Sequence, residues 1–234
     1  MSKVGNFLTS KLSLMTNSDK VKATINSLSV KYSKTSWTNI LLPVFKTEGF
    51  DLGINQLISD HQAGQPFTPH LKDMFKSFDL CPLSEVKVVI VNPYPYPAKG
   101  EATGLALAGK QNPFTMELST YSNNGDKSLE YLPQQGVLML NASLTCPIDK
   151  MTDHAPMWNP VFTNIIKGLS KFTQDTVFVL MGEDVEFLSS AIGESHSKLF
   201  IPSIKEGEDW ENIDLFDRIN SILEKTDNRT PVKW

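Results

Sequence analysis

Cysteine is scarce in this sequence, and long apolar runs are missing. Cys81 and Cys146 are the only two cysteines among 234 residues; each precedes a proline, and they do not form a Cys-x-x-Cys spacing. This pattern favours buried free thiols in a reducing compartment, with a disulfide as the alternative. No segment approaches the ~18 consecutive apolar residues that a membrane span needs, so we expect a protein that does not cross a membrane.

Basic charge is not in excess either. The 22 lysines and arginines stand against 26 aspartates and glutamates, giving a net charge of −4. This balance argues against a protein that wraps long nucleic acid by bulk electrostatics, although it leaves room for a small basic surface. His61, His70 and His196 show no ligand spacing with the cysteines. The sequence also lacks a glycine-rich phosphate loop and a Gly-x-Ser-x-Gly motif, and we predict neither metal nor cofactor.

The amino-terminal stretch MSKVGNFLTSKLSLMTNSDK contains too many Ser, Thr and Asn residues for the apolar core of a secretory signal. We interpret residues 1–16 as a polar leader, with mobility as one option, within a single domain over residues 1–234. The expected location is the cytoplasm, or the nucleus if the source cell has one.

Short apolar runs alternate with helical patterns along the chain. Each run has about five residues rich in Val, Ile or Leu and ends in turn-forming residues, which is typical of buried strands. The predicted strands are Val86–Val91, Val137–Asn141, Thr176–Leu180 and Lys198–Pro202. The predicted helices cover residues 17–32, 36–48, 52–62, 68–77, Trp158–Phe172, Val185–Ile192 and Trp210–Leu223.

This alternation predicts an α/β fold with three layers, in which helices cover both faces of a central, four-stranded, mostly parallel sheet. Ligands of such folds bind beyond the carboxyl ends of the strands. We therefore expect one rim to be formed by the loops that begin at Asn92, after Asn141, after Leu180 and at Pro202.

The first of these loops is unusual. In VVIVNPYPYP (88–97), a β-branched strand leads directly into three prolines separated only by tyrosines. A turn needs one proline at most, and three of them make the loop rigid. A rigid loop at the end of a buried strand is where an α/β protein usually builds a binding or catalytic site.

The segment EVKVVIVNPYPYPAKGEATGLALA resembles the first motif region of uracil-DNA glycosylases, where a strand leads into a water-activating loop of the type GQDPYH and then a Gly-Leu pair. Gly104-Leu105 matches that pair. GVLMLNASLT resembles the second pocket strand of the family. Further matching landmarks are Ser36-Trp37, Pro66–Phe78, the TDH triplet with Trp158, and Pro231…Trp234. The resemblance covers most of the chain from about residue 36 and implies the fold of this superfamily.

The resemblance also implies roles for single residues. The catalytic aspartate of the family falls on Tyr94, and the glutamine whose backbone reads uracil falls on Pro93. Tyr96 keeps the tyrosine that bars the methyl group of thymine. Leu107 replaces the phenylalanine on which uracil stacks. Asn141 keeps the asparagine that reads the base edge, with simple hydrogen-bond satisfaction as the alternative.

The final motif of the family is altered in the same way. Its His-Pro-Ser sequence and intercalating leucine correspond here to Ile201-Pro202-Ser203-Ile204. The catalytic histidine is thus replaced by Ile201, and only Ile204 remains as a wedge. Since cleavage of an N-glycosidic bond needs a carboxylate near C1′ and a donor for the departing base, the usual route to uracil hydrolysis is not expected.

Other residues are candidates for the missing chemistry. Glu101 precedes Gly104…Lys110 at the spacing of an acidic residue in a neighbouring branch of the superfamily, so it is either a relocated carboxylate or a solvated loop glutamate. His154 is either a donor or phosphate contact or an ordinary loop histidine. Tyr94 and Tyr96 either stack on bases or pack over the prolines. The predicted DNA contacts, each with a solvated surface residue as the alternative, are Lys99, Lys110, Ser203, Ile204 and Lys205.

Three functions remain open. The first is a monomeric DNA glycosylase that flips a base other than uracil, such as a modified one, into a rebuilt pocket. The second is a silent relative that binds DNA or a replication protein without cutting. The third is slow uracil excision assisted by the phosphates of the substrate.

Overall fold

The computed structural model describes residues 16–122, 125–202, 214–226 and 229–234. The helices are α1 (Asn17–Tyr32), α2 (Thr38–Phe45), α3 (Glu48–Gln62), α4 (Lys76–Leu80), α5 (Pro113–Ser122), α6 (Ala155–Phe172) and α7 (Leu215–Glu224). The strands are β1 (Phe67–Thr68), β2 (Val88–Asn92), β3 (Val137–Asn141), β4 (Cys146–Pro147), β5 (Val177–Met181) and β6 (Ser197–Ile201). Short 3₁₀ helices cover Leu71–Asp73, Leu83–Glu85, Pro133–Gln135 and Glu183–Ala191.

Four of the strands form one parallel sheet in the order β3-β2-β5-β6. Their runs of β-branched and aliphatic residues are buried on both faces, as expected for parallel strands that are covered by helices. One face packs against α1, α2, α3 and α6, and the other packs against α5, α7 and the carboxyl-terminal Trp234. The predicted three-layer α/β fold with a four-stranded sheet is therefore confirmed.

The register places the carboxyl ends of the strands at one edge. Asn92 pairs with Asn141 across β2 and β3, and Met181 pairs with Ile201 across β5 and β6. The described loops that follow β2, β3 and β5 therefore meet Pro202 at a common edge, as predicted for the rim. Cys81 and Cys146 are buried free thiols, which agrees with the favoured interpretation of these two residues.

Several boundaries differ from the sequence-based prediction. The region 68–77, predicted as a helix, instead contains a 3₁₀ turn and the start of α4, and Val185–Ile192 falls in the 3₁₀ helix Glu183–Ala191. The segment 1–15 lies outside the described residues, and Thr16 caps α1 by accepting a hydrogen bond from the Asp19 backbone N–H. No helix within the described ranges has both the length and the apolar character to cross a membrane.

Gly136 directly precedes β3, and we predict that replacing it destabilises the fold. Its φ of +84° is left-handed, and an added Cβ would collide with the backbone carbonyl oxygen of Glu85. Gly136→Ala should lower the free energy of unfolding by about 3 kcal/mol because backbone strain and overlap add. Gly64→Ala is the matched control, since Gly64 has a φ of +70° and open space around it; it should cost about 1–2 kcal/mol. If urea unfolding shows that both variants lose the same free energy of unfolding, the collision at residue 136 is relieved in Gly136→Ala and the prediction is wrong.

Candidate active site

A cleft of about 350 Å³ opens at the rim, at the carboxyl ends of β2, β5 and β6. Its walls are mainly prolines, methionines and aromatic rings, with a few polar groups. The lining residues are Asn92, Pro93, Tyr94, Pro95, Tyr96, Leu107, Asn112, Pro113, Phe114, Met151, Met181, Gly182, Asp184 and Pro202. A cleft of this size and composition is suited to a flat organic group.

The proline loop that forms one wall is fixed by hydrogen bonds to its carbonyl groups. The Asn92 side-chain Nδ2 donates to the Tyr94 carbonyl oxygen at 2.6 Å. The carbonyl oxygens of Asn92 and Pro93 accept from the backbone N–H groups of Ala142 and Ser143 at 2.8 and 2.9 Å. Because the prolines have no N–H to satisfy, this pattern holds the loop rigidly against the end of β3.

A second, much smaller space lies beside the cleft, around Asn141. Its volume is about 10 Å³, and it is lined by Asn92, Tyr94, Pro95, Tyr96, Ala102, Leu105, Leu107 and Asn141. A space of this volume holds at most about one water molecule. Asn92 Nδ2 also donates to Asn141 Oδ1 at 3.0 Å, which fixes the amide of Asn141 against the end of β2. The structure thus brings together Tyr94, Tyr96, Leu107 and Asn141, as predicted, but around a closed space.

Asn112, which was not identified from the sequence, holds the loop around Leu107 in place. Its Nδ2 donates to Tyr96 Oη at 2.6 Å and to the carbonyl oxygens of Leu107 and Lys110 at 2.8 and 3.0 Å. Leu107 has a φ of +65°, a strained conformation for a residue with a branched side chain. The Asn112 side chain therefore stabilises the strained turn that presents Leu107 to the site.

Asp184 is a second residue that the sequence analysis missed. It lies in the 3₁₀ helix after β5, is exposed to solvent and lines the same cleft as Tyr94. Burial and the nearby negative charge of Asp184 raise the pKa of Tyr94, so its phenol stays protonated at neutral pH.

The chain is similar to known proteins, although no family model matches it. A uracil-DNA glycosylase of Dichelobacter nodosus is 30% identical over 218 residues, which cover 85% of this chain and 93% of that protein. A uracil-DNA glycosylase of Lactococcus lactis subsp. lactis is 31% identical over 164 residues, which cover 64% of this chain and 73% of that protein. The chain belongs to the uracil-DNA glycosylase family.

Solved structures of uracil-DNA glycosylases have the same fold as this chain. A crystal structure of mimivirus uracil-DNA glycosylase superimposes with a TM-score of 0.74 at 20% identity, covering 85% of this chain and 86% of that chain. A structure from Nitratifractor salsuginis, named in the same family, gives a TM-score of 0.54 at 15% identity, with 75% and 86% coverage. At these identities the likeness supports the fold alone.

Glu101, predicted as either a relocated carboxylate or a solvated loop glutamate, lies outside the cleft. Glu101 forms an ion pair with Lys110 at 2.9 Å; the Lys110 side chain is exposed and the Glu101 side chain is half-buried. Glu101 lines neither the cleft nor the space around Asn141. Lys110, predicted as a DNA contact, lies 5.7 Å from the centre of the Tyr96 ring. The ion pair therefore links Glu101 to Lys110 beside the Tyr96 ring.

His154, predicted as either a donor or phosphate contact or an ordinary loop histidine, lies in the core. His154 is 4% exposed; its Nε2 lies 3.0 Å from Asp60 Oδ2, and its Nδ1 lies 2.9 Å from Thr145 Oγ1. Trp158 Nε1 donates to the same Thr145 oxygen at 2.8 Å. Burial lowers the pKa of His154, and the Asp60 carboxylate partly opposes this effect. This network joins α3 to α6 in the core, away from the cleft.

The remaining predicted residues lie at different depths. Ile201, in the position that the resemblance gives to the catalytic histidine, is only 1% exposed and packs in the core; its neighbour Pro202 lines the cleft instead. Pro93 lines the cleft as predicted, and Lys99 is exposed at the loop tip. Ser203, Ile204 and Lys205 lie outside the described residues. Within the described ranges no three His, Cys, Asp or Glu side chains are grouped as a metal site requires.

Proposed function

We propose that the protein is a DNA glycosylase that takes an extrahelical base larger than uracil into the cleft at the rim. This proposal rests on the difference in volume between the two spaces at the rim. The space around Asn141, which corresponds to the uracil pocket of the family, has about 10 Å³, whereas the adjoining cleft has about 350 Å³. A base that cannot enter the first space has room in the second.

The lining of the cleft supports a planar, substituted ligand. Tyr94 and Tyr96 offer aromatic surface, and Met151 and Met181 offer polarisable side chains that adapt to irregular shapes. Base flipping into such a cleft replaces the stacking that the base loses when it leaves the duplex. The family relationship supports N-glycosidic bond cleavage as the reaction, since the relatives reported above are named uracil-DNA glycosylases.

The test is a panel of otherwise identical duplexes that contain uracil, thymine, a glucosylated 5-hydroxymethylpyrimidine or adenine at one position. The protein should create alkali-labile abasic sites at one of the larger bases with a kcat/KM about 100-fold above that for uracil. Equal or preferential release of uracil would contradict the proposal. Slow release of uracil alone would favour an enzyme that is assisted by the phosphates of its substrate.

A silent, DNA-binding relative is the second candidate. It is favoured by Tyr94 and Ile201, which stand where the resemblance expects the catalytic aspartate and histidine, and by the burial of Ile201. This candidate predicts retention of the duplexes in a binding assay without abasic sites at any base. A replication protein would then be the partner to test, by co-purification with the full chain.

A further inference from the structure

Asn92 lies where the cleft meets the small space around Asn141. It is the last residue of β2, it is half-buried, and it lines both spaces. Asn141, its partner at the end of β3, lines the small space and does not line the cleft. Of the two amides at these strand ends, Asn92 is therefore the one that a base in the cleft can contact.

The hydrogen bonds of Asn92 fix the orientation of its side-chain amide. The Tyr94 carbonyl oxygen lies 2.6 Å from one amide atom of Asn92, and a carbonyl oxygen can only accept, so this atom is Nδ2. The same nitrogen also donates to Asn141 Oδ1 at 3.0 Å. Both of its N–H groups are thus committed. Asn92 Oδ1 accepts no hydrogen bond from the described residues, and it is not one of the fully buried atoms without a partner, so this acceptor is accessible to a ligand.

The other polar side chains that line the cleft offer few donors to a base. The Asn112 amide is engaged, since its nitrogen holds the loop around Leu107 and its oxygen accepts from a backbone N–H of α5. The Tyr96 hydroxyl is bonded to the same amide nitrogen. Asp184 adds an exposed carboxylate, whose oxygens accept hydrogen bonds. Apart from the Tyr94 hydroxyl, which can donate or accept, the side-chain groups of the described cleft that remain for a ligand are therefore acceptors.

We infer that Asn92 reads the base in the cleft, with Oδ1 as the acceptor, and that this base carries an exocyclic amino group on the edge that meets Oδ1. The inference rests on the proposed glycosylase function and names the class of base. An amino group donates to Oδ1, whereas the carbonyl oxygen that replaces it in an oxo base presents a second acceptor. Two acceptors that face each other between prolines and methionines both stay unsatisfied, a mismatch that polar sites reject strongly.

Asn141, which the resemblance makes the reader of the base edge, has a supporting role in this arrangement. Its Oδ1 holds one N–H of Asn92, and the Ala142 N–H donates to the Asn92 carbonyl oxygen at 2.8 Å. The side chain and the backbone of Asn92 are therefore both held by the end of β3. An acceptor that is fixed in this way discriminates between bases, because it cannot turn away from a mismatched edge.

The first experiment compares bases in which a carbonyl oxygen replaces the amino group. Otherwise identical duplexes carry adenine or hypoxanthine, and glucosylated 5-hydroxymethylcytosine or glucosylated 5-hydroxymethyluracil, and the full-length wild type is tested on each in single turnover. Within the pair that it cleaves, the amino base should be released about 10-fold faster or more. Equal release within the pair, or faster release of the oxo base, would overturn the inference and leave the proposed function intact. A wild type that releases none of these bases would overturn both.

The second experiment measures how the amino-to-oxo rate ratio changes in variants. Asn92→Ala removes the donors that hold the loop, which slows both bases alike, and it removes Oδ1, which slows the amino base alone. The ratio should therefore fall about 10-fold or more. Asn112→Ser is the matched control, because it also removes donors that hold a loop of the cleft, while the Asn112 oxygen already caps α5. It should slow both bases and leave the ratio within about threefold of the wild type.

Asn92→Asp separates the two tasks of the Asn92 side chain. It keeps an acceptor at this position and loses the N–H groups, so it should slow both bases and keep the preference for the amino base. This variant also tests the inference if Asn92→Ala does not fold. An unchanged ratio in Asn92→Ala, or a lost preference in Asn92→Asp, would overturn the reading role of Asn92; in the first case the Asp184 carboxylate would be the acceptor that selects the base.

Discussion

His154→Ala should lower the free energy of unfolding by about 3 kcal/mol or more, because it removes the central member of a buried polar network. The imidazole connects Asp60 to Thr145, and Thr145 in turn accepts from the Trp158 indole. Without it, the Asp60 carboxylate, only 7% exposed, keeps only its contact with Gln56 at 2.7 Å among the hydrogen bonds described here. A buried carboxylate with too few donors is among the most destabilising changes that a core can receive.

The same network predicts a dependence of stability on pH. Burial lowers the pKa of His154 in the folded protein, so the unfolded chain binds the proton first as the pH falls. Stability is therefore fully present above the ordinary histidine pKa of about 6.5 and decreases as the pH drops below it. The decrease between pH 7.5 and pH 5.5 should be smaller in His154→Ala, which has lost the titrating group.

Urea unfolding at the two pH values checks both expectations. His61→Ala is the control, since His61 is an exposed histidine near the end of the same helix as Asp60. It should change the free energy of unfolding by less than about 0.5 kcal/mol. A loss below about 1 kcal/mol in His154→Ala would show that water or a rearranged Thr145 replaces the imidazole.

The strands were predictable from the sequence because burial on both faces of the sheet determines their composition. A parallel strand that is covered on both faces must be apolar throughout, and the run at Val137–Asn141 coincides with β3. The helix over residues 17–32 coincides with α1 for a related reason, since Thr16 and Asp19 form a capping box at its start. Helix α5 was missed because its residues PFTMELSTYS mix small polar and apolar side chains without a clear apolar face.

The candidate site was predictable only in part. The rim followed from the parallel sheet, and the resemblance brought Tyr94, Tyr96, Leu107 and Asn141 to one place. Asp184 carries no local signature, and only the order of the strands in the sheet brings it to the same cleft as Tyr94. The burial of His154 was equally invisible, because a histidine that follows a strand looks the same in sequence whether it faces solvent or a core carboxylate.

Asn112 did have a signal in the sequence. In the stretch NPFT, an asparagine precedes a proline and stands three residues before a threonine, which is a pattern of a helix start. The structure shows the reciprocal contacts of a cap: Thr115 N–H donates to Asn112 Oδ1 at 3.0 Å, and Asn112 N–H donates to Thr115 Oγ1 at 2.9 Å. The side-chain oxygen of Asn112 thus caps α5, while its nitrogen holds the loop around Leu107.

Asn112→Ser separates these two tasks, and it should reduce base excision about 100-fold, the loss that a displacement of roughly 1 Å in an active site causes. Serine keeps a good helix cap, but its short hydroxyl does not reach Tyr96 or the Leu107 carbonyl oxygen. Leu107, held at a φ of +65°, should then relax towards an unstrained conformation and shift the wall of the cleft. Single-turnover excision of the preferred base measures the loss.

Thr115→Ala is the matched control for that variant. It removes the hydroxyl that accepts from the Asn112 N–H but leaves all the contacts of Asn112 Nδ2 with the loop. Its cost should appear as about 1 kcal/mol of stability, with the excision rate within about threefold of the wild type. If Thr115→Ala slows excision as much as Asn112→Ser does, the helix start alone positions the cleft, and the contacts to Tyr96 and Leu107 are secondary. If neither variant changes the rate, Leu107 keeps its conformation without Asn112, and the strained turn is stabilised by its own packing.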